Sequence, residues 1–446
     1  MKNIYLTLLL IFFTIDLPAQ LSIVANDLVS PIGIQTDASG NHWVTDNGTG
    51  KMDARVLVIR PHGEIIPVIT GLPSQIQPSV GEPSGTWRTL FLPNGRLAVV
   101  IGEAFTPDFG KILIFDFKRF HLGRSPAKTM SDAVAAIQIS TFSLMHTPES
   151  NIYSATIDER GNWYVVDAAA NQIVKVTSYG QKSIFAKFSD IPNPTPIGPP
   201  MINAVPTKII PDNRGGFYVA SFTGFPFPEG GASIYSVDKL GKVSLFKSGL
   251  SLISDIALDQ QTGDLYALQY AKFGFAPTPG YVLGSSKVWR IKAGNRNLEL
   301  VAENFGPGAG MSFDRQGNLY VTSLFTSQLL KMPHVLRRYD DNCHFLEAEQ
   351  GDIPTAQQNK LDSKSSLLTT YPNPTTDFVT ISWVQSETPQ YLRLMDIAGR
   401  VVFEKKDLGE GVKEQIIDVK QLNAGIYNLQ LGTTEGSESR KIVVQK

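Results

Sequence analysis

The sequence is short of cysteine, of net charge and of long apolar runs. Cys343 is the single cysteine in 446 residues, which excludes an intrachain disulfide framework and any cysteine-rich zinc site. Lys and Arg number 40 against 41 Asp and Glu, a formal net charge of -1, so no global field exists to hold nucleic acid or an anionic membrane. Charged residues make up 18 % of the chain, below the roughly 25 % of an average soluble protein, and few helices could show a charged face to water. Beyond residue 20 no stretch approaches the ~18 apolar residues of a transmembrane helix. Several enzyme signatures are missing too. His42, His62, His121, His146, His334 and His344 form neither His-x-x-x-His nor His-Glu-x-x-His, no Gly-x-Ser-x-Gly elbow occurs, and no Walker A or Rossmann glycine pattern follows a strand. Cys343 and His344 are chain neighbours, which point oppositely in an extended segment, so the pair reads as a spectator.

What is abundant is turn chemistry, with 38 Gly and 28 Pro, and this favours β structure. The first twenty residues, MKNIYLTLLLIFFTIDLPAQ, place Lys2 before an apolar run over 4–15 that is too short to span a bilayer. Asp16 and Pro18 end that run, so residues 1–20 read as a secretory signal peptide. The Ala-Gln ending resembles the leaders of exported proteins of Bacteroidetes-type bacteria.

At the other end, Tyr371-Pro-Asn-Pro374 precedes DFVTISW, YLRLMDIAGRVVF, EQIIDV, LNAGIYNLQL and RKIVVQK, segments with apolar alternation. They predict a small Ig-like β-sandwich over 371–446. YPNP, Asp396-Ile-Ala-Gly-Arg-Val-Val402, Leu422-Asn-Ala-Gly-Ile-Tyr427 and the basic Lys441 to Lys446 terminus resemble the type A sorting domain of the type IX secretion system. The resemblance implies an address read at the outer membrane, with the secretion machinery as partner. The intervening 333–370 is polar in its second half and lacks periodicity, which predicts a linker.

The middle is repetitive. PIGIQTDASGNHWVTD (31–46) recurs as IYSATIDERGNWYVVD (152–167), PTKIIPDNRGGFYV (206–219), SDIALDQQTGDLY (254–266) and GAGMSFDRQGNLYV (308–321), with a degenerate copy over 85–99. The turn glycines Gly40, Gly95, Gly161, Gly215, Gly263 and Gly317 are separated by 55, 66, 54, 48 and 54 residues. Repeats of this length, most with an Asp-x-x-Gly turn between apolar segments and two further strands, predict a six-bladed β-propeller over 21–332. Fourth strands are expected at 65–70, 137–142, 183–188, 243–247 and 298–302, and none follows Met332. Residues 21–28 match 298–305 in pattern, so the N-terminal segment is expected to supply the outer strand of the last blade. The repeats resemble NHL-type propellers. Asp46-Asn-Gly-Thr-Gly50, Val166-Asp-Ala-Ala-Ala-Asn171 and Ser221-Phe-Thr-Gly-Phe-Pro-Phe-Pro-Glu-Gly230 resemble, more narrowly, the ScyD/ScyE family of exported propellers, which implies an architecture and no settled activity.

In such an architecture the loops leading into the first strands share one face with those joining second to third strands, and that face is the expected site. The first set offers Glu82, Glu149, Ser150, Asn151, Asn203, Ser254 and Asp255. The second offers Asp46, Asn47, Glu103, Asp167, Asn171, Thr223, Phe225, Phe227, Gln269 and Tyr270. Asp46, Asn47, Glu103, Asn151, Asp167, Asn171, Asn203, Phe225, Phe227 and Tyr270 are the candidate ligand-binding residues. Glu82, Asn151, Asn203 and Asp255 are candidate metal ligands, and calcium is the ion such hard oxygen donors would take. Asp, Asn and Ser beside turns also cap backbone groups, so a ring of turns supplies such residues with no metal at all. The aromatic, proline-held loops at 222–228 and 273–280 could form a platform for a sugar or planar ligand, or pack on each other as a lid. Two functions follow: a secreted or cell-surface module recognising a small molecule, glycan or protein, or a calcium-dependent hydrolase or lactonase. The latter resembles six-bladed lactonases related to gluconolactonase.

Overall fold

The computed structural model describes residues 21–77, 81–103, 105–275, 279–336, 368–371, 375–383, 389–396, 400–406, 408, 414–433 and 437–444. The leader over 1–20, the Cys343-His344 pair, 337–367 of the expected linker, residues 372–374 and the Ala398-Gly399 turn lie outside them. The chain divides into two compact units, Met1–Glu349 and Gln350–Lys446.

Local chemistry fixes the hairpins of the first unit. Asp37 accepts the backbone N–H groups of Ser39 (2.8 Å) and Asn41 (3.0 Å), and Gly40 between them has a φ of +82°, a conformation a Cβ would oppose. Asp158 closes its turn on Arg160 and Asn162 in the same way, and Asp314 on Asn318. On these hairpins grow six antiparallel sheets. The first holds Pro31–Thr36, His42–Asp46, Ala54–Ile59 and Ile65–Leu72; the second, Thr86–Leu92, Arg96–Ile101, Lys111–Asp116 and Ala135–Gln138. The third holds Ile152–Ile157, Trp163–Asp167, Gln172–Val176 and Lys182–Lys187; the fourth, Pro206–Pro211, Phe217–Ser221, Ala232–Val237 and Val243–Leu250. The fifth holds Ile253–Leu258, Leu265–Gln269, Ser286–Ile291 and Leu298–Phe305; the sixth, Gly308–Phe313, Leu319–Ser323, Gln328–Met332 and Ser22–Ala25.

The first strands pack side by side in sheet order, and the sixth returns to the first, which makes the unit a β-propeller. Its apolar core is divided among the junctions between sheets. Val56, Val58, Leu97, Val99 and Phe115 fill the first junction, and Ala25, Leu28, Ile34, Val44 and Tyr320 fill the last. Buried hydroxyls tie neighbouring sheets together: Thr45 donates to the Trp87 carbonyl (2.7 Å), Ser154 to Thr207 (2.6 Å), Thr207 to Ile253 (2.8 Å), Ser254 to Gly308 (2.6 Å) and Thr322 to Ile32 (2.7 Å). In the sixth sheet Ser22–Ala25 pairs antiparallel with Gln328–Met332, Ser22 opposite Lys331 and Ile23 opposite Leu330.

Three elements differ from the sequence expectation. The fourth strand of the second sheet ends at Gln138, because the N–H groups of Ile139 and Ser140 both bond the Gly110 carbonyl and turn the chain into a short helix, Ser140–Ser143. Residues 333–336, read as linker, belong to the propeller: Leu336 is 3 % exposed and its N–H bonds the Gly317 carbonyl. At the linker's other end Leu368–Tyr371 is a strand paired with Phe378–Trp383.

The second unit packs two sheets face to face. One contains Leu368–Tyr371, Phe378–Trp383 and Glu414–Asp418; the other contains Val401–Lys406, Pro389–Met395, Gly425–Thr433 and Ser437–Val444. Val379, Ile381 and Trp383 meet Leu392, Leu394, Leu429 and Leu431 between them, a β-sandwich core.

Candidate functional site

Four residues before the turn position of each repeat, the first strands carry Gly33, Arg88, Ser154, Lys208, Asp255 and Gly310. Only the second, fourth and fifth sheets bring charge to this level. The Arg88 guanidinium crosses from the second sheet to the fifth, where Nη1 meets Asp255 Oδ2 at 2.8 Å, and Nη2 donates to the carbonyls of Ser254 (2.8 Å) and Ala309 (2.9 Å). Lys208 Nζ stands 3.4 Å from the other Asp255 oxygen. Glycine at 310 makes room, since a Cβ there would lie 2.8 Å from Arg88 Nη1. Burial pulls the Lys208 pKa down from its ordinary value, against the attraction of Asp255.

One residue nearer the mouth, Trp87 and Tyr153 replace the smaller Ile32, Thr207, Ser254 and Ala309 of the other repeats. Their rings stack with centroids 4.9 Å apart and form one wall of a cavity of about 130 Å3. Phe222, Tyr270 and Tyr281 form another, with Tyr270 centred 5.5 Å from Phe222 and 4.9 Å from Tyr281. The polar side chains of Gln77, Glu82 and Ser84 also line it. Burial pushes the Glu82 carboxyl up to about 7. Burial and then Glu82 raise the Tyr270 and Tyr281 hydroxyls, so both stay protonated as donors. The Ser84 hydroxyl is buried with no hydrogen-bond partner among the described residues.

Asn151 sits behind the Trp87 wall. Its Oδ1 accepts from the Trp87 indole N–H (2.9 Å) and the Glu103 backbone N–H (3.0 Å), and its Nδ2 donates to Glu103 Oε1 (2.8 Å). The Glu103 carboxyl is pushed up to about 7 by burial, then by Glu149 and Asp167. Among the described residues, this contact joins the second sheet to the third where hydroxyl-to-carbonyl bonds serve the other junctions.

The remaining sequence candidates divide by location. Asp46 accepts from the N–H groups of Val29 (3.0 Å), Ser30 (2.8 Å) and Gly48 (3.1 Å) and pairs with Arg55 (2.9 Å). Asp167 accepts from the Ser150 hydroxyl (2.7 Å) and the Asn151 N–H (2.8 Å), its equivalent task in the third sheet. Asn47 bonds the Thr86 N–H (2.9 Å), and Asn171 bonds the Val205 N–H (2.9 Å). These four bind the chain to itself. Asn203 is exposed, and its carbonyl accepts from the Gly224 N–H (2.8 Å). Phe227 packs on Phe273 at 5.1 Å, while Phe225 beside it is 48 % exposed. So the structure brings Tyr270 to the cavity with Glu82, sets Phe227 behind it, and leaves Asp46, Asn47, Asp167 and Asn171 to the loops.

The four candidate metal ligands are not gathered into one calcium site: Asp255 is engaged by two cations, Asn151 already spends its carbonyl oxygen on two donors, Asn203 lies exposed, and Glu82 lines the mouth cavity. Among the described residues no group of three or more His, Cys, Asp or Glu side chains is placed to hold a metal. Trp87, Tyr153, Tyr281, Ser84, Arg88 and Lys208 were not among the sequence candidates. Aligning the repeats by their turns marks four of them: Trp87 and Tyr153 stand where other copies carry smaller residues, and Arg88 and Lys208 are the cations at a level where the fifth copy carries Asp255 and the rest Gly or Ser.

Residues 369–445 match the family described as a secretion system C-terminal sorting domain. None of the curated proteins matches the chain. Solved structures that resemble it include a protein of unknown function from Bacteroides thetaiotaomicron, at 12 % identity over 70 % of this chain and 75 % of that one, TM-score 0.48. A gluconolactonase from Xanthomonas campestris resembles it at 14 % identity over 71 % and 89 %, TM-score 0.45, and virginiamycin B lyase from Staphylococcus aureus at 14 % over 70 % and 99 %, TM-score 0.41. The architecture rests on the sheets themselves rather than on these likenesses. The sorting domain addresses the chain for secretion or outer-surface export, and no helix among the described residues is long and apolar enough to cross a membrane.

Proposed function

We propose that this is an exported recognition protein whose propeller binds a single ring-sized group at its mouth, the terminal sugar of a glycan or a comparable cyclic small molecule. The cavity between Trp87, Tyr153, Tyr270 and Tyr281 carries this reading. Its volume of about 130 Å3 is close to the ~150 Å3 that accommodates one benzene ring. Aromatic faces suit the apolar face of a sugar, and the Glu82, Ser84, Tyr270 and Tyr281 side chains supply polar contacts for its hydroxyls. No bond chemistry is required of it. A signal peptide over 1–20 and the type IX system through 371–446 would deliver the propeller to the surface, consistent with the ScyD/ScyE resemblance of 21–332.

Isothermal titration of the full chain with a panel of monosaccharides and their terminal oligosaccharides tests this. Binding by at least one, weakened about ten-fold or more by Trp87→Ala or Tyr281→Ala, is the expected result. Binding unchanged in both variants, or calcium-dependent turnover of lactones, would overturn it.

A further inference from the structure

We propose a second, independent site on the opposite face of the propeller, a cleft that takes a segment of anionic polysaccharide. The connection from Asp116 to Ala135 in the second sheet is 18 residues long, where the first, third, fourth and fifth sheets use five or six. It accounts for the long repeat interval that includes Gly95. Within it lie Lys118, Arg119, Arg124 and Lys128 against one acidic residue, Asp132. The overall charge near zero conceals this concentration.

The connection is built rather than loose. Phe117 packs edge-on against Trp43 at 5.2 Å and against Phe120 at 4.9 Å, and Phe120, Leu122 and Met130 join the core of the first junction. The N–H groups of Arg124 and Ser125 bond the His121 carbonyl, and the Ser125 hydroxyl accepts the His121 N–H at 3.0 Å. Lys128–Thr129 then pairs in parallel with Ile69 and Thr70, so the connection bridges two sheets. The result is a concavity of about 500 Å3 lined by Lys118, Arg119, Lys128, Phe120, Ser125 and Asp116. The Asp116 carboxylate accepts the Lys118 N–H at 2.9 Å, leaving three cations against this one acid.

Such a space exceeds one oxyanion and suits several linked sugar units. Lys and Arg pair with carboxylate, sulfate or phosphate esters, and the Phe120 face suits a sugar ring. Third-to-fourth-strand connections leave the sheets on the side away from the mouth, so this site stands or falls apart from the mouth's.

Titration of the full chain with dextran sulfate, with unmodified dextran and inorganic sulfate as controls, tests the proposal. Dextran sulfate is expected to bind, more weakly as salt rises, and to bind far more tightly than neutral dextran. Lys118→Ala with Arg119→Ala should weaken binding about ten-fold or more without moving the melting midpoint, since both side chains are exposed. Trp87→Ala should leave it unchanged. Equal affinity in the double variant, equal binding of neutral dextran, inorganic sulfate binding as tightly as the polymer, or tighter binding of duplex DNA at equal charge would each overturn it.

Discussion

The guanidinium of Arg88 meets the carboxylate of Asp255 at 2.8 Å across the middle of the propeller, although 167 residues separate them in the chain. The pair ties the second sheet to the fifth, which share no junction. Two cations, Arg88 and Lys208, share one carboxylate there.

Removing Asp255 alone should therefore be severe. Asp255→Leu leaves Arg88 and Lys208 buried without a counter-charge, a situation that costs about 3–5 kcal/mol. Adding Arg88→Met should restore part of that loss, because Lys208 alone can shed its proton, its pKa being already lowered. Thermal melting of the two variants checks this, and a double variant no more stable than Asp255→Leu would show that Arg88 stabilises through its carbonyl contacts instead.

A different pH response comes from Glu82. Its carboxyl is raised from 4.5 to about 7, so the folded state holds a proton that the unfolded state gives up sooner. Its contribution is fully present below about 4.5 and is lost as pH rises through about 7. Glu103 behaves alike. Glu82→Gln should be more stable than the parent above neutral pH and nearly equal to it at pH 4. Chemical denaturation at several pH values decides, and a constant difference between the two proteins would mean Glu82 is not the titrating group.

His42 acts in the other direction. It is fully buried on Tyr320, with ring centroids 3.9 Å apart, and its Nδ1 is 3.0 Å from the Thr36 hydroxyl. Burial lowers its pKa from 6.5 to about 4, so its contribution is present above 6.5 and is lost as pH falls through about 4. The loss should reach roughly 3 kcal/mol. His42→Phe should flatten the acid side of the stability profile, and an unchanged slope there would place the acid sensitivity elsewhere.

The repeats were legible because each hairpin turn is a local device. Asp37, Asp158 and Asp314 close their own turns, so a motif of a few residues suffices to mark them. Asp46 and Asp167 looked like site residues for the same local reason, being polar residues at strand ends on the expected face. Which backbone groups they cap is decided by loops 16 to 17 residues away in the chain. The mouth was harder to read. Tyr281 reaches Tyr270 only through packing of the aromatic loops, and Arg88 reaches Asp255 only once the ring is closed, a relation that no periodicity encodes.

Closure itself rests on Leu28 as much as on backbone pairing. Leu28 is 1 % exposed in the junction between the sixth and first sheets, and its N–H bonds the Ser327 carbonyl at 3.1 Å. Leu28→Ala should cost about 2–4 kcal/mol. Exposed Ile23→Ala in the same segment should cost little, and equal melting midpoints for the two variants would show that side-chain burial at Leu28 is not what holds the segment.

The two compact units make export separable from folding. Val379, Trp383, Leu392, Leu394 and Leu429 form a core confined to the sandwich, and the propeller's clusters contain none of its residues. Removing 369–445 should therefore leave the propeller's melting transition in place while abolishing delivery to the surface. Leu429→Asp, which puts a charge where the side chain is 0 % exposed, should do the same without shortening the chain. Fractionation of cells producing each variant gives the location, and melting of the recovered protein reports folding. A propeller that still melts normally but stays inside the cell is the expected pair of results. Surface delivery of the truncated chain would mean that the address lies outside the sandwich, and loss of the propeller's transition would mean that the two units do not fold independently.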